Sequence, residues 1–142
     1  MKKSTMIVLL CLILGVLGAC NQQNQPNHGV QEIKLYELVG YEQVDDEPIE
    51  EWTEKEDVDQ MVSILQSAKK MDGILDIEPA QYRLDLIEQE ANPMFLWLRD
   101  DTTEAILMER TEDGTEVYYT LLEDETSSLK ELFHQRGVLD GE

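Results

Sequence analysis

The chain has 142 residues, 31 acidic side chains against 11 Lys and Arg, and a formal charge of −20. A domain of this sign repels nucleic acid, and by the same force anionic lipid and anionic wall polymer. The length supplies one domain with one core and is too short for two.

The chain opens Met1-Lys2-Lys3, runs apolar from Met6 to Leu17, and then reads Leu17-Gly18-Ala19-Cys20. A charged start, a short apolar middle and small residues at the end are the marks of a secretory signal, too short to span a bilayer comfortably. Cys20 stands where a bacterial lipobox places its thiol, so the expected product begins at Cys20 and carries a diacylglyceryl group there. An ordinary signal peptide with an incidental cysteine, or an uncleaved anchor, is the alternative reading. Burial of acyl methylenes is worth about 0.8 kcal/mol each, and two or more chains hold a protein stably. The expected address is the outer face of the cell membrane, with the membrane itself as the first partner.

Removal of residues 1–19 takes Cys11 with it, and lipid consumes Cys20, so no disulfide is available to the exported domain. The exported chain keeps 9 basic side chains against 31 acidic ones, a charge of −22. A cationic protein or peptide, or a divalent metal, is the electrostatically allowed partner. An acidic exterior is also a general solubility device.

Residues 20–31 are polar and nearly uncharged after the lipidated cysteine, and read as a flexible spacer that holds the domain roughly 20 Å from the lipid. A single globular domain is expected over residues 32–142. Ile33 to Val39 has strand composition and ends at Gly40. From Gly40 to Asp59 ten acidic residues face the single Lys55, which predicts a solvated connection around Pro48, Ile49 and Trp52. Thr53 and Glu56 form a capping-box pattern, and Val58, Met61, Val62, Leu65 and Ala68 follow at helical spacing. A helix over about residues 55–71 is predicted, with Lys69 and Lys70 at its negative end and Gly73 as its C-cap.

Four strand-like runs come next: Tyr82 to Ile87, Met94 to Leu98, Ala105 to Arg110 and Thr115 to Leu121. The segments between them have hairpin chemistry, sharpest at Asp113-Gly114. A last helix starts at Glu123-Asp124-Glu125-Thr126 and presents Leu129, Leu132 and Phe133 on one side. The fold class is therefore α+β, an antiparallel meander sheet of four to five strands with two helices packed on it.

Ala68-Lys69-Lys70, Gly73-Ile74-Leu75-Asp76-Ile77-Glu78-Pro79-Ala80-Gln81-Tyr82, Leu96-Trp97-Leu98 and Val117-Tyr118-Tyr119-Thr120-Leu121 together resemble the small lipoproteins of Bacillus-type bacteria that carry a YhfM-like domain. The resemblance covers about residues 60–133. It implies domain boundaries and anchoring, and contributes no activity and no catalytic residue.

Ser67-Ala68-Lys69-Lys70 has the S-x-x-K spacing of acyl-serine enzymes, but their companion S-D-N and K-T-G elements do not occur. No catalytic residue is assigned, and a non-enzymatic protein is expected. The two histidines, His28 and His134, have no cysteine to join them, so zinc is not expected. Asp45-Asp46-Glu47, Asp100-Asp101 with Glu104, and Glu123-Asp124-Glu125 cluster hard oxygen ligands without the spacing of a calcium loop. No metal ligand or cofactor is assigned from them.

If Leu84, Leu86, Leu96, Leu98, Val117 and Tyr119 point under the helices, alternation sends Arg83, Phe95, Trp97, Arg99, Tyr118 and Thr120 to the opposite face. Arg83, Trp97, Arg99 and Tyr118 then form a candidate binding face of the residue types enriched at interfaces. The competing reading has the C-terminal helix covering that face, or Trp97 in the core with the faces inverted. The function expected is a lipid-anchored binding or interaction module at the cell surface. The alternatives are a divalent-cation-responsive module and, behind it, a hydrolase.

Overall fold

The computed structural model describes residues 29–139 apart from positions 42 and 74. Residues 1–28, on which the expected signal, the lipidated Cys20 and most of the expected spacer fall, and residues 140–142 lie outside the described residues. Among these described residues eight strands and two helices follow in chain order: β1 (Glu32–Val39), β2 (Gln43–Val44), β3 (Glu50–Trp52), α1 (Lys55–Gln66), β4 (Lys69–Lys70), β5 (Tyr82–Ile87), β6 (Ala91–Trp97), β7 (Ile106–Arg110), β8 (Glu116–Thr120) and α2 (Glu123–Gln135). The sheet runs β2-β1-β5-β6-β7-β8-β4, with β3 also paired to β1, and every pairing is antiparallel. The class is the expected α+β, but the sheet has eight strands where four to five were expected. The three additions are short, two or three residues each, and finish the edges of β1 and β8.

Two of those additions correct the solvated connection over residues 40–59. β3 lies along Ile33, Lys34 and Leu35, and brings Trp52 to full burial. A large indole outweighs its acidic neighbours, because burying an aromatic ring removes far more apolar surface from water than Glu50 and Glu51 at the rim oppose.

α1 begins with Glu54 as N-cap and no side-chain capping bond, so the Thr53–Glu56 capping box does not form. It also ends five residues early. Ser67 is the C-cap, its Oγ donating to Ile64 O at 2.6 Å, and the chain then turns into β4. Lys69 and Lys70 pair with Thr120 and Tyr119 rather than sitting on the helix dipole. Gly73 is not the cap of α1 and instead takes φ +96° in the segment that follows β4, a conformation glycine adopts without strain.

One face of the sheet lies under both helices. Ile33, Leu35, Leu84, Leu96 and Leu107 meet Val58, Met61, Val62 and Leu65 of α1 and Leu129, Leu132 and Phe133 of α2. Phe133 stacks on Trp52 at 5.7 Å and meets Tyr82 edge-on at 5.7 Å, so one ring joins β3, β5 and α2. Arg136 closes the far end of α2 onto Glu50 at 3.3 Å and Asp57 at 2.7 Å.

Thr126 pins the start of α2 from inside. Its hydroxyl, 1% exposed, accepts from Ala105 N at 2.9 Å and donates to Leu121 O at 3.1 Å. Thr126→Val keeps the shape and strands the Ala105 N–H. Its loss is expected to cost about 1–3 kcal/mol, read as a lower denaturation midpoint at unchanged slope, and an unchanged midpoint would show that the pin carries no stability.

Candidate functional site

The register places Tyr36, Arg83, Phe95, Met108 and Tyr118 in one row across β1, β5, β6, β7 and β8, on the face away from the helices. Trp97, Ile106 and Thr120 form the next row. These are the sides that alternation assigns. The C-terminal helix packs on the other face, so it is not what covers this one.

The cover is the segment from Met71 to Gln81, which crosses the outer face as a strap. Met71, Leu75, Ile77 and Ala80 pack against Phe95, Trp97, Ile106, Met108 and Tyr118 as a second, smaller core. Met108 is 5% exposed, Tyr118 6% and Phe95 9%. Tyr118 is therefore buried and cannot present an exposed ring as the candidate face required. The apolar side chains of the strap take that position.

Polar bonds fasten the strap at its C-terminal end. Trp97 Nε1 donates to Glu78 O at 2.6 Å, and Arg99 donates to Glu78 Oε2 at 2.7 Å. Gln81 N donates to Leu96 O at 3.1 Å, while Gln81 Oε1 accepts from Leu98 N at 3.0 Å. At the other end Met71 N donates to Tyr118 O at 2.8 Å.

Beside this fastening lies an open groove of about 610 Å³, walled by Trp97 and Arg99 and by Asp76, Glu78, Asp101 and Glu104. Four carboxylates thus face one guanidinium, already tied to Glu78. On the far side of the strap is a smaller cavity of about 220 Å³, bounded by Tyr41, Phe95, Trp97 and Tyr118 and by the Arg110–Glu116 pair. Trp97 and Glu78 belong to both spaces, so the strap divides one aromatic surface into a groove and a cavity.

Of the four residues assigned to a binding face, the groove gathers Trp97 and Arg99. Arg83 shares the face but not the groove. Its guanidinium holds the buried carboxylate of Asp85 by two bonds of 2.6 and 2.7 Å and lies over Tyr36. A carboxylate 5% exposed needs such a partner, so Arg83 is spent on the fold. Asp76 and Glu78 were missed, although Leu75 and Ile77 alternate with them in the sequence as a strand-like segment would.

The acidic clusters do not converge. Asp101 and Glu104 line the groove, whereas Asp100 turns to His134 at 3.7 Å, and Glu123, Asp124 and Glu125 occupy the first turn of α2, where the dipole favours them. Among the described residues no three His, Cys, Asp or Glu side chains lie close enough to hold a metal ion. The S-x-x-K spacing loses its geometry, since Ser67 caps α1 and Lys70 lies in β4.

The family model described as YhfM protein matches residues 36–137. The chain belongs to the YhfM family. The match extends the resemblance at both ends, taking in the second half of β1 and all of α2. No curated protein matches this YhfM-family chain. A solved structure described as a thioesterase-like protein from Clostridium sporogenes is similar, at TM-score 0.54 and 17% identity, over 73% of this chain and 94% of that one. At that identity the likeness is one of fold. Among the described residues no helix is long and apolar enough to cross a membrane.

Two tyrosines report the electrostatics on the two faces. Burial first, and then the hydrogen bond to Glu116 at 2.9 Å, push the Tyr118 hydroxyl above its ordinary range. The bond to Glu109 at 2.5 Å is the larger cause for Tyr119, with burial second. Both folded values are raised, so their contribution to stability is complete below the unfolded value near 10 and is lost as pH climbs through the folded values. Absorbance titration of tyrosinate should show both ionising late. Glu109→Gln should bring Tyr119 down and leave Tyr118 in place, and a titration identical to the parent would contradict the assignment.

Proposed function

We propose that this YhfM-family protein is a lipid-anchored, non-enzymatic binding module on the outer face of the cell membrane, and that the groove beside Trp97 receives a cationic segment of a protein or peptide partner. The observation that carries the reading is the groove itself, where four carboxylates and an indole wall meet a single guanidinium that already has its counter-ion. A cation entering there gains Coulomb attraction and a flat aromatic surface together. Cys20 supplies the anchor in this account, and the spacer gives the domain reach from the lipid.

The thioesterase-like neighbour brings a hydrolase reading with it, which requires a nucleophile beside an available base. His134, the one described histidine, faces Leu139 O with Nδ1 and Asp100 with Nε2. That arrangement favours a structural role for the ring.

Trp52 is fully buried, so Trp97 is the emission signal that a ligand in the groove would change. A short peptide of alternating Lys and Leu should shift that emission saturably at low salt, and the same peptide with Glu for Lys should not. The double change Asp101→Asn and Glu104→Gln should weaken the Lys peptide about three- to tenfold, as loss of partly solvated ion pairs does. Equal response to both peptides, or to neither, would contradict the reading.

Anchoring has its own check. Mass spectrometry of the native product should find an N-terminus at Cys20 with a diacylglyceryl group attached, and an unmodified chain retaining residues 1–19 would refute it.

A further inference from the structure

We propose a second site on the opposite face of the sheet: the cavity beneath α1 takes a small aliphatic amine, its ammonium held by Glu109 and Glu88 and its carbon chain lying between the helix and the sheet. The cavity measures about 260 Å³ and is separate from the groove in every lining residue. Val62 and Leu65 of α1 form its roof, Leu86, Met94 and Leu107 its floor, and Val30 one side. Its polar groups are Gln66, Glu88, Glu109 and Tyr119, with no Lys or Arg among the lining residues.

That pairing of walls selects the ligand by chemistry. An apolar lining rewards removal of methylenes from water, and the partly buried carboxylate of Glu109 is screened less than one in open solvent, while the exposed Glu88 adds charge at the mouth. Two carboxylates repel a fatty acid or any other anion. An alcohol gains the apolar contact without the charge, and an ammonium gains both. Tyr119 orients the acceptor, since its hydroxyl donates to Glu109 Oε1 at 2.5 Å and takes one of the roughly four lone-pair sites a carboxylate offers. The remaining sites are available to the three donors of an ammonium. Glu109 reaches this position because it shares its face with Leu107 and pairs across to Met94, a charged residue inside an otherwise apolar row. The volume is below the ~300–1,000 Å³ of sites that enclose drug-sized molecules, which limits the ligand to a chain of a few carbons.

The probe is n-pentylammonium, with n-pentanol and pentanoate as the neutral and anionic counterparts, titrated into the full-length chain carrying ¹³C-methyl methionine. The Met94 methyl lines the cavity and reports occupancy there alone. Pentylammonium should move it saturably, propylammonium should bind about fourfold more weakly per methylene removed, and pentanoate should leave it still. Glu109→Gln should weaken pentylammonium at least tenfold while leaving pentanol unchanged. Should that variant fail to fold, Glu88→Gln carries the test, lowering affinity for the amine and not for the alcohol. A Met94 methyl that does not move, equal binding of amine and carboxylate, or an amine affinity indifferent to these changes would overturn the proposal.

Discussion

Trp97 joins the sheet to the strap, and the outer half of the structure depends on that junction. Its indole N–H is given to Glu78 O, and its ring lies 6.1 Å from that of Tyr118. Arg99 takes the side chain of the same glutamate, so one residue of the strap is held through both backbone and carboxylate. Without this fastening Phe95, Met108 and Tyr118 would face water as a contiguous apolar patch, a costly state for the domain. With it the sheet is covered on both sides, and the margin of the cover becomes the wall of a groove.

The two faces have different chemistry because they are closed by different means. Helices close one side with a broad apolar layer around Trp52 and Phe133, and that layer leaves a small cavity beside Glu109. A single extended segment closes the other, and a narrow strap cannot cover a whole face. What it leaves open is bordered by its own alternating residues, Asp76 and Glu78, which gives the groove its sign. The solved neighbour is matched over 94% of its length, so the fold it shares is nearly the whole of that molecule.

Much of this was legible in the sequence, for reasons of periodicity. Alternation along Leu84, Leu96 and Tyr119 sorts residues into the two faces that the strand pairings show, but it left open which face is covered and by what. The five long strands and both helices have patterns of sufficient length to read. β2, β3 and β4 are too short to carry a period, and Trp52 sits in an acidic stretch whose average hides it. The end of α1 was misplaced because Lys69 and Lys70 suit a helix terminus as well as an edge strand; pairing with Thr120 and Tyr119, a contact across fifty residues, decides between them. Tyr118 was misjudged for a related reason. Its face was right, but a cover built from a segment without regular structure leaves no periodic trace. Leu75 and Ile77 carry the signal in their spacing, and it means burial only once a surface to pack on is known.

Amide hydrogen exchange measures the closure of the strap most directly. The N–H groups of Met71, Gln81 and Leu98 should be protected alongside central sheet amides such as Leu96, and Trp97→Phe should lower protection at Gln81 and Leu98 while leaving Ala105 and Leu121, held on the helix side, unchanged. Strap amides that exchange as fast as an unfolded chain, or a Trp97→Phe profile indistinguishable from the parent, would contradict a second core closed by that junction.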